Sequence, residues 1–158
     1  MTTFVCNIED TIKRIQNEIT HKSRKSRTGT DMGFGENSSI DGETWINEYI
    51  SSIASDIFDK LFSPLARNLT NPFLNGLVYG GNDIIYSVEL PATFDINTVP
   101  AINRAIEDTI VSYAVFEWLK DLRVPGWERE ELDHVAKYDN LRGLITRRIN
   151  LVRTYKLY

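Results

Sequence analysis

"NTVPAINRAIEDTIVSYAVFEWLKDLRVPGW", Asn97 to Trp127, decides how this chain folds. Ile102, Ala105, Ile106, Thr109, Ile110, Tyr113 and Ala114 recur at the three- and four-residue spacing of one helix face. Val115, Phe116, Trp118, Leu119 and Leu122 widen that face toward the C-terminal end. A helix apolar over so much of its circumference belongs at the centre of a domain. Asn97 or Thr98 is the expected cap, and Pro100 falls in the first turn, where its missing N–H is harmless. Val124-Pro125-Gly126 stops the helix.

On the C-terminal side a last helix is expected from about Glu128 to Arg153. "EREELD" puts acids in its first turn, where the helix dipole favours them. Leu132, Val135, Ala136, Tyr138, Leu141, Leu144, Ile145, Ile149 and Val152 are its expected core face. The short connection makes the last two helices an antiparallel hairpin.

On the N-terminal side "DIIYSVEL" alternates Ile84, Tyr86, Val88 and Leu90 against Ile85, Ser87 and Glu89, the pattern of a strand. One strand needs a partner. Two readings stand: a hairpin with "NGLVYGG" through the turn signal "GGND", or a strand from a neighbouring subunit. Further back, Asp41 is the expected cap of a helix over Thr44 to Phe62, with Trp45, Ile46, Tyr49, Ile50, Ile53, Ile57, Phe58 and Leu61 as its core stripe and Pro64 ending or bending it. "NIEDTIKRIQNEI" reads as a first helix, capped by Asn7 or Asp10, with a narrow stripe of Ile8, Ile12, Ile15 and Ile19 that need not join the main core. Residues of about 22–40, "KSRKSRTGTDMGFGENSSI", show no periodicity and read as a flexible polar loop. The fold expected is mainly α: one domain over 1–158, a bundle of about four helices with a C-terminal antiparallel pair and one short strand or hairpin, its core built by the second, third and fourth helices.

With 158 residues, 42% apolar and 25% charged, the chain has ordinary globular composition and can bury a core of its own. Cys6 is the only cysteine, which excludes an intrachain disulfide and a cysteine-rich zinc site. No apolar run reaches the roughly 20 residues of a membrane span, and the start lacks the pattern of a signal peptide, so a cytosolic product with no membrane association is expected. The net charge of −4 gives no global attraction to nucleic acid. Its distribution is uneven: residues 28–98 carry ten acids and two Lys/Arg, whereas residues 140–158 carry five Lys/Arg and no acid. Such polarity suits docking against copies or a charged ring; the plainer reading is charge scattered over solvated faces.

Chemistry is sparse. His21 and His134 stand on different elements with no cysteine near, and read as structural before catalytic or metal-binding. Asp56 with Asp59, and Glu128, Glu130, Glu131 and Asp133, read as solvated helix faces before acid–base or Mg²⁺ sites. "GFGENSS" lacks the preceding strand and following Gly-Lys of a phosphate loop. No cofactor or metal is expected. The stronger candidates are cationic: Lys22, Arg24, Lys25 and Arg27 at one end, Arg142, Arg147, Arg148, Arg153 and Lys156 at the other, with Tyr155 and Tyr158 able to stack on bases. On an ideal helix Arg142, Arg153 and Lys156 share a side while Arg147 and Arg148 point elsewhere, which suits multi-sided contacts better than one groove-facing stripe.

The order of elements, with "IIYSVELP", "INRAIEDTIVSYAVFEWLKD" and the Arg-rich "LRGLITRRINLVRTYKLY", resembles the small, mainly helical head–tail connector (neck or adaptor) proteins of tailed bacteriophages, the crAss-like group among them. The likeness covers about residues 84–158; the N-terminal half matches by element order. The resemblance implies a non-enzymatic structural protein of the virion neck, assembled in the host cytoplasm as a ring of about a dozen copies. Its partners would be the portal, a tail or second ring protein, and non-specifically the packaged DNA. The nine cationic residues would then be subunit, portal or DNA-channel contacts. The rival expectation is a cytosolic nucleic-acid-binding or regulatory helical protein.

Overall fold

The computed structural model describes residues 2–26, 40–66, 76–90 and 94–155. The elements in chain order are β1 (Thr2–Asn7), α1 (Ile8–Ser26), α2 (Ile40–Ile57), a π turn (Phe58–Phe62), α3 (Ser63–Ala66), β2 (Gly76–Gly80), β3 (Asp83–Val88), a 3-10 turn (Ile96–Thr98), α4 (Val99–Asp121) and α5 (Trp127–Tyr155). The fold is mainly helical, with its last two helices packed together beside a small antiparallel sheet.

α4 is the axis. Ile102, Ala105, Ile106, Thr109, Ile110, Val111, Ala114, Val115, Trp118 and Leu119 are all buried, so it is apolar on nearly every side. α1, α2 and α5 all pack on it. Its N-cap is Thr98, as expected, but the Thr98 side chain makes no cap bond. Asp95 accepts from the Asn97 backbone N–H at 3.0 Å, and the Thr98 hydroxyl donates to the Asp95 carbonyl at 2.7 Å, so Asp95 organises the turn that neither Asn97 nor Thr98 caps by its side chain. At the other end Arg123 takes the left-handed conformation (φ 53°) and the Val124 N–H closes on the Leu119 carbonyl at 2.9 Å. The chain then reverses into α5.

α1 contributes more than its narrow stripe suggests. Asn7 caps it, its Oδ1 accepting from the Asp10 N–H at 2.9 Å. Thr11, Ile15 and Ile19 are fully buried, so the core includes α1 as well as the three later helices. Arg14 forks across to Glu107 and Asp108 of α4, 3.0 Å to each. α1 also runs on to Ser26, through the first residues expected to be a loop, and α2 already begins at Ile40, so Asp41 lies inside the helix it was expected to cap. Residues 27–39 lie outside the described residues.

Pro64 does not end the second helix. It has no N–H to offer the preceding turn. The chain widens into the π turn just before it and continues as α3. Trp45, assigned to the core stripe, is 43% exposed and meets Trp118 edge-on at 5.7 Å between ring centroids.

β3 finds both partners within its own chain, in the order β1-β3-β2. β2 joins it through Gly81-Asn82, with φ +63° at Gly81 alone, the two-residue hairpin turn that glycine makes easy. β1 is a strand that sequence reading did not find, paired from Thr2↔Val88 to Asn7↔Asp83. Its Phe4 stacks on Phe62 (5.0 Å) and meets Phe94 edge-on (6.3 Å), while the Tyr86 hydroxyl donates to the Ala54 carbonyl at 3.1 Å. The inner face of the sheet therefore rests on α2 and the π turn.

Candidate functional site

The predicted cationic residues divide into separate groups. Lys22, on α1, is half-buried and paired with Glu130 at the start of α5 and with Glu18 at 3.5 Å. Its charge joins two helices of the same chain. Arg24 and Lys25 lie in the last turn of α1, and Arg27 lies outside the described residues. Arg142 is exposed on α5, 3.6 Å from Asp139 and 5.4 Å above the Tyr138 ring. Arg147, Arg148 and Arg153 follow on the same helix; Lys156 lies outside the described residues.

Two contacts fix how α5 lies on α4. The Ser112 hydroxyl is 3.2 Å from His134 Nδ1, and the Thr109 hydroxyl, which donates to the Ala105 carbonyl at 2.7 Å, lies 3.4 Å from the Lys137 carbonyl. Three residues forward on α4 match three backward on α5. Continued at the same register, Val99, the first residue of α4, comes level with Arg147. The end of α5, Arg148 to Tyr155, therefore runs on for roughly 12 Å beyond the helix it packs against, at 1.5 Å per residue.

The two parts of α5 differ in what they bury. Leu141 and Ile145 are buried and Leu144 packs against the core, as expected. Leu132 (70% exposed) and Val135 (49%) are not in the core to which the sequence assigned them, because α5 packs chiefly on one side, against α4. With exposed Ala136 they form an apolar strip flanked by Glu128, Glu131 and Asp139. Glu128 and Glu131 make no ion pair with a described residue. Close by, at the end of α4, burial, then Asp121 and Glu131, push the Glu117 carboxyl up, and Lys120 opposes the shift.

A groove of about 480 Å³ lies between the end of α2 with its π turn and α5. Asp56, Lys60, Leu61, His134, Val135, Tyr138, Asp139 and Arg142 line it. Lys60 holds Asp56 at 2.8 Å. Burial drives the Tyr138 hydroxyl up, helped by the Asp56 carboxylate. His134 stacks on Phe116 at 5.6 Å and meets Tyr113 and Tyr138 edge-on, and this burial pushes its pKa down, against a smaller opposing pull from the Thr109 backbone. The Ser112–His134 pair has the spacing of a nucleophile and a base. However, Ser112 is 5% exposed, it donates to the Thr109 carbonyl at 2.9 Å, and it is not among the groove-lining residues. The pair thus reads as a seam between α4 and α5. No group of three or more His, Cys, Asp or Glu among the described residues is placed to hold a metal ion. No helix among the described residues is long and apolar enough to cross a membrane.

The exposed strip at the start of α5 is what sequence reading missed. Its one signal was local: acids alternate with Leu132 and Val135 more closely there than in the second half of the helix. Comparison with protein-family models, with curated proteins and with solved structures found no match to this chain.

Proposed function

We propose that this protein is a structural building block of a virion neck, a ring-forming head–tail connector that joins portal to tail. The observation that carries the reading is that so small a domain exposes apolar side chains on separate surfaces. Val5 and Val78, both facing Ile85 across the outer side of the sheet, are 39% and 53% exposed. Leu132 and Val135 form the second surface, on α5. Scattered single apolar residues need no explanation, but matched strips on different faces suit a subunit that touches more than one neighbour. The resemblance of residues 84–158 to connector proteins supports the same reading, and so does the charge polarity of the chain. On this reading the protein carries out no reaction: its work is assembly through buried apolar faces and complementary charge.

The test is the mass of the full-length protein by light scattering, with negative-stain imaging, alone and with a portal protein. Rings are the expected result. A monomer at every concentration that also prefers one DNA sequence by about a thousandfold, the range of specific readers, would overturn the reading in favour of a regulatory DNA-binding protein.

A further inference from the structure

α5 is one unbroken helix of 29 residues, roughly 44 Å long, and its two ends are unlike. Its beginning shows solvent the apolar strip Leu132, Val135 and Ala136, with Glu128, Glu131 and Asp139 around it. Its far end, Arg148 to Tyr155, outruns α4 and has the sequence Arg-Ile-Asn-Leu-Val-Arg-Thr-Tyr, two cations and four large apolar or aromatic residues with no acid. The strip needs a partner that is apolar and cationic, and the far end has that composition. The two cannot meet within one molecule. About 25 Å of continuous helix separates Val135 from Val152, and a helix cannot fold back on itself.

We propose that the C-terminal end of α5 docks on the exposed strip at the beginning of α5 of a second copy, so that subunits join head to tail. This rests on the ring reading above and names its subunit contact. The apolar and cationic composition of that end of the sequence would complement the apolar strip of Leu132 and Val135 and the flanking Glu128 and Glu131. A head-to-tail contact pairs unlike surfaces; it closes as a ring when the rotation between neighbours permits and otherwise grows as a filament.

The experiment uses the full-length chain and two double variants, Arg148→Glu with Arg153→Glu, and Glu128→Lys with Glu131→Lys. All are measured by sedimentation velocity, with far-UV circular dichroism confirming that each is folded. The wild type should associate, each double variant alone should associate at least about tenfold more weakly, and an equimolar mixture of the two should recover association, because both contacts are then complementary. Double variants that associate like the wild type, or a mixture that stays dissociated, overturn the proposal and leave the ring reading standing. Charge-dependent assembly into open filaments supports the proposal and counts against the ring. A wild type that remains monomeric overturns both. Duplex DNA serves as a further probe: an arm variant that loses DNA binding while its self-association is unchanged makes the arm a nucleic-acid contact and overturns the proposal.

Discussion

Phe4→Ala tests the feature least visible in the sequence, the N-terminal strand. Phe4 is fully buried, stacked on Phe62 and edge-on to Phe94. Truncating a buried phenylalanine costs about 3–5 kcal/mol, and losing its ring contacts places this site in the upper part of that range. Val5, one residue on, points to the outer face and is 39% exposed. Val5→Ala removes partly solvated methyl groups and should cost less than about 1 kcal/mol. The contrast between neighbours is the prediction, because a strand sends successive side chains to opposite faces. Urea unfolding followed by far-UV circular dichroism measures it. At an m-value near 2 kcal/mol/M, Phe4→Ala should lower the midpoint by roughly 2 M, with the slope unchanged. Equal costs at the two positions, or a Phe4→Ala cost below about 1 kcal/mol, would refute the strand and its register.

Two further outcomes follow from buried titratable groups. Cys6 is 2% exposed and desolvation holds its thiol up at about 11, so it should resist a thiol-labelling reagent at pH 8 in the folded protein and react fully in denaturant; rapid labelling of folded protein would count against its burial. His134 is held below its usual 6.5 by burial, so the unfolded chain binds its proton more readily than the folded one, and stability should fall as pH drops through 6.5 toward the folded pKa. His134→Gln should flatten that part of the stability–pH curve, and an unchanged curve would show that another group titrates there.

The helices were legible because their signals are local. α4 and, on α5, Leu141, Leu144 and Ile145 carry the apolar spacing their burial requires, whereas the side chains of Ile149 and Val152 lie outside the described residues; Asn7 caps α1 as a side chain three residues before a free N–H can. The hairpin turn was legible because Gly81 needs the backbone freedom that "GGND" advertises. What failed was anything set by a distant partner. β1 is six residues with two inward side chains, Phe4 and Cys6, and becomes a strand only because β3, some eighty residues on, lies beside it. The weight of α1 was underestimated for the same reason: Ile15 and Ile19 count as core once α4 is known to be apolar on the side they meet. In α5 the error ran the other way. Periodicity continues through Leu132 and Val135, but apolar spacing cannot say whether a neighbour exists to cover it. Of the cationic candidates, Lys22 proved to be tied to Glu130 within the fold, a pairing no spacing rule could reveal.

The late completion of the sheet has a consequence for how the protein is made. Each β1 residue waits for a partner 76 to 86 positions later, and at 5–20 residues per second that is a delay of roughly 4–17 s on the ribosome. Asn103, whose side chain accepts from the Val5 N–H on the outer edge of β1, arrives later still. Closing so large a loop is entropically expensive and is repaid only when β3 and α4 are both present. β1 is thus made well before the partners that fix it, and until they arrive Phe4 and Val5 are open to whatever waits at the tunnel exit. A chaperone that grips short apolar segments would find β1 a good client during that wait, and a substitution there would act on folding yield before it acted on stability.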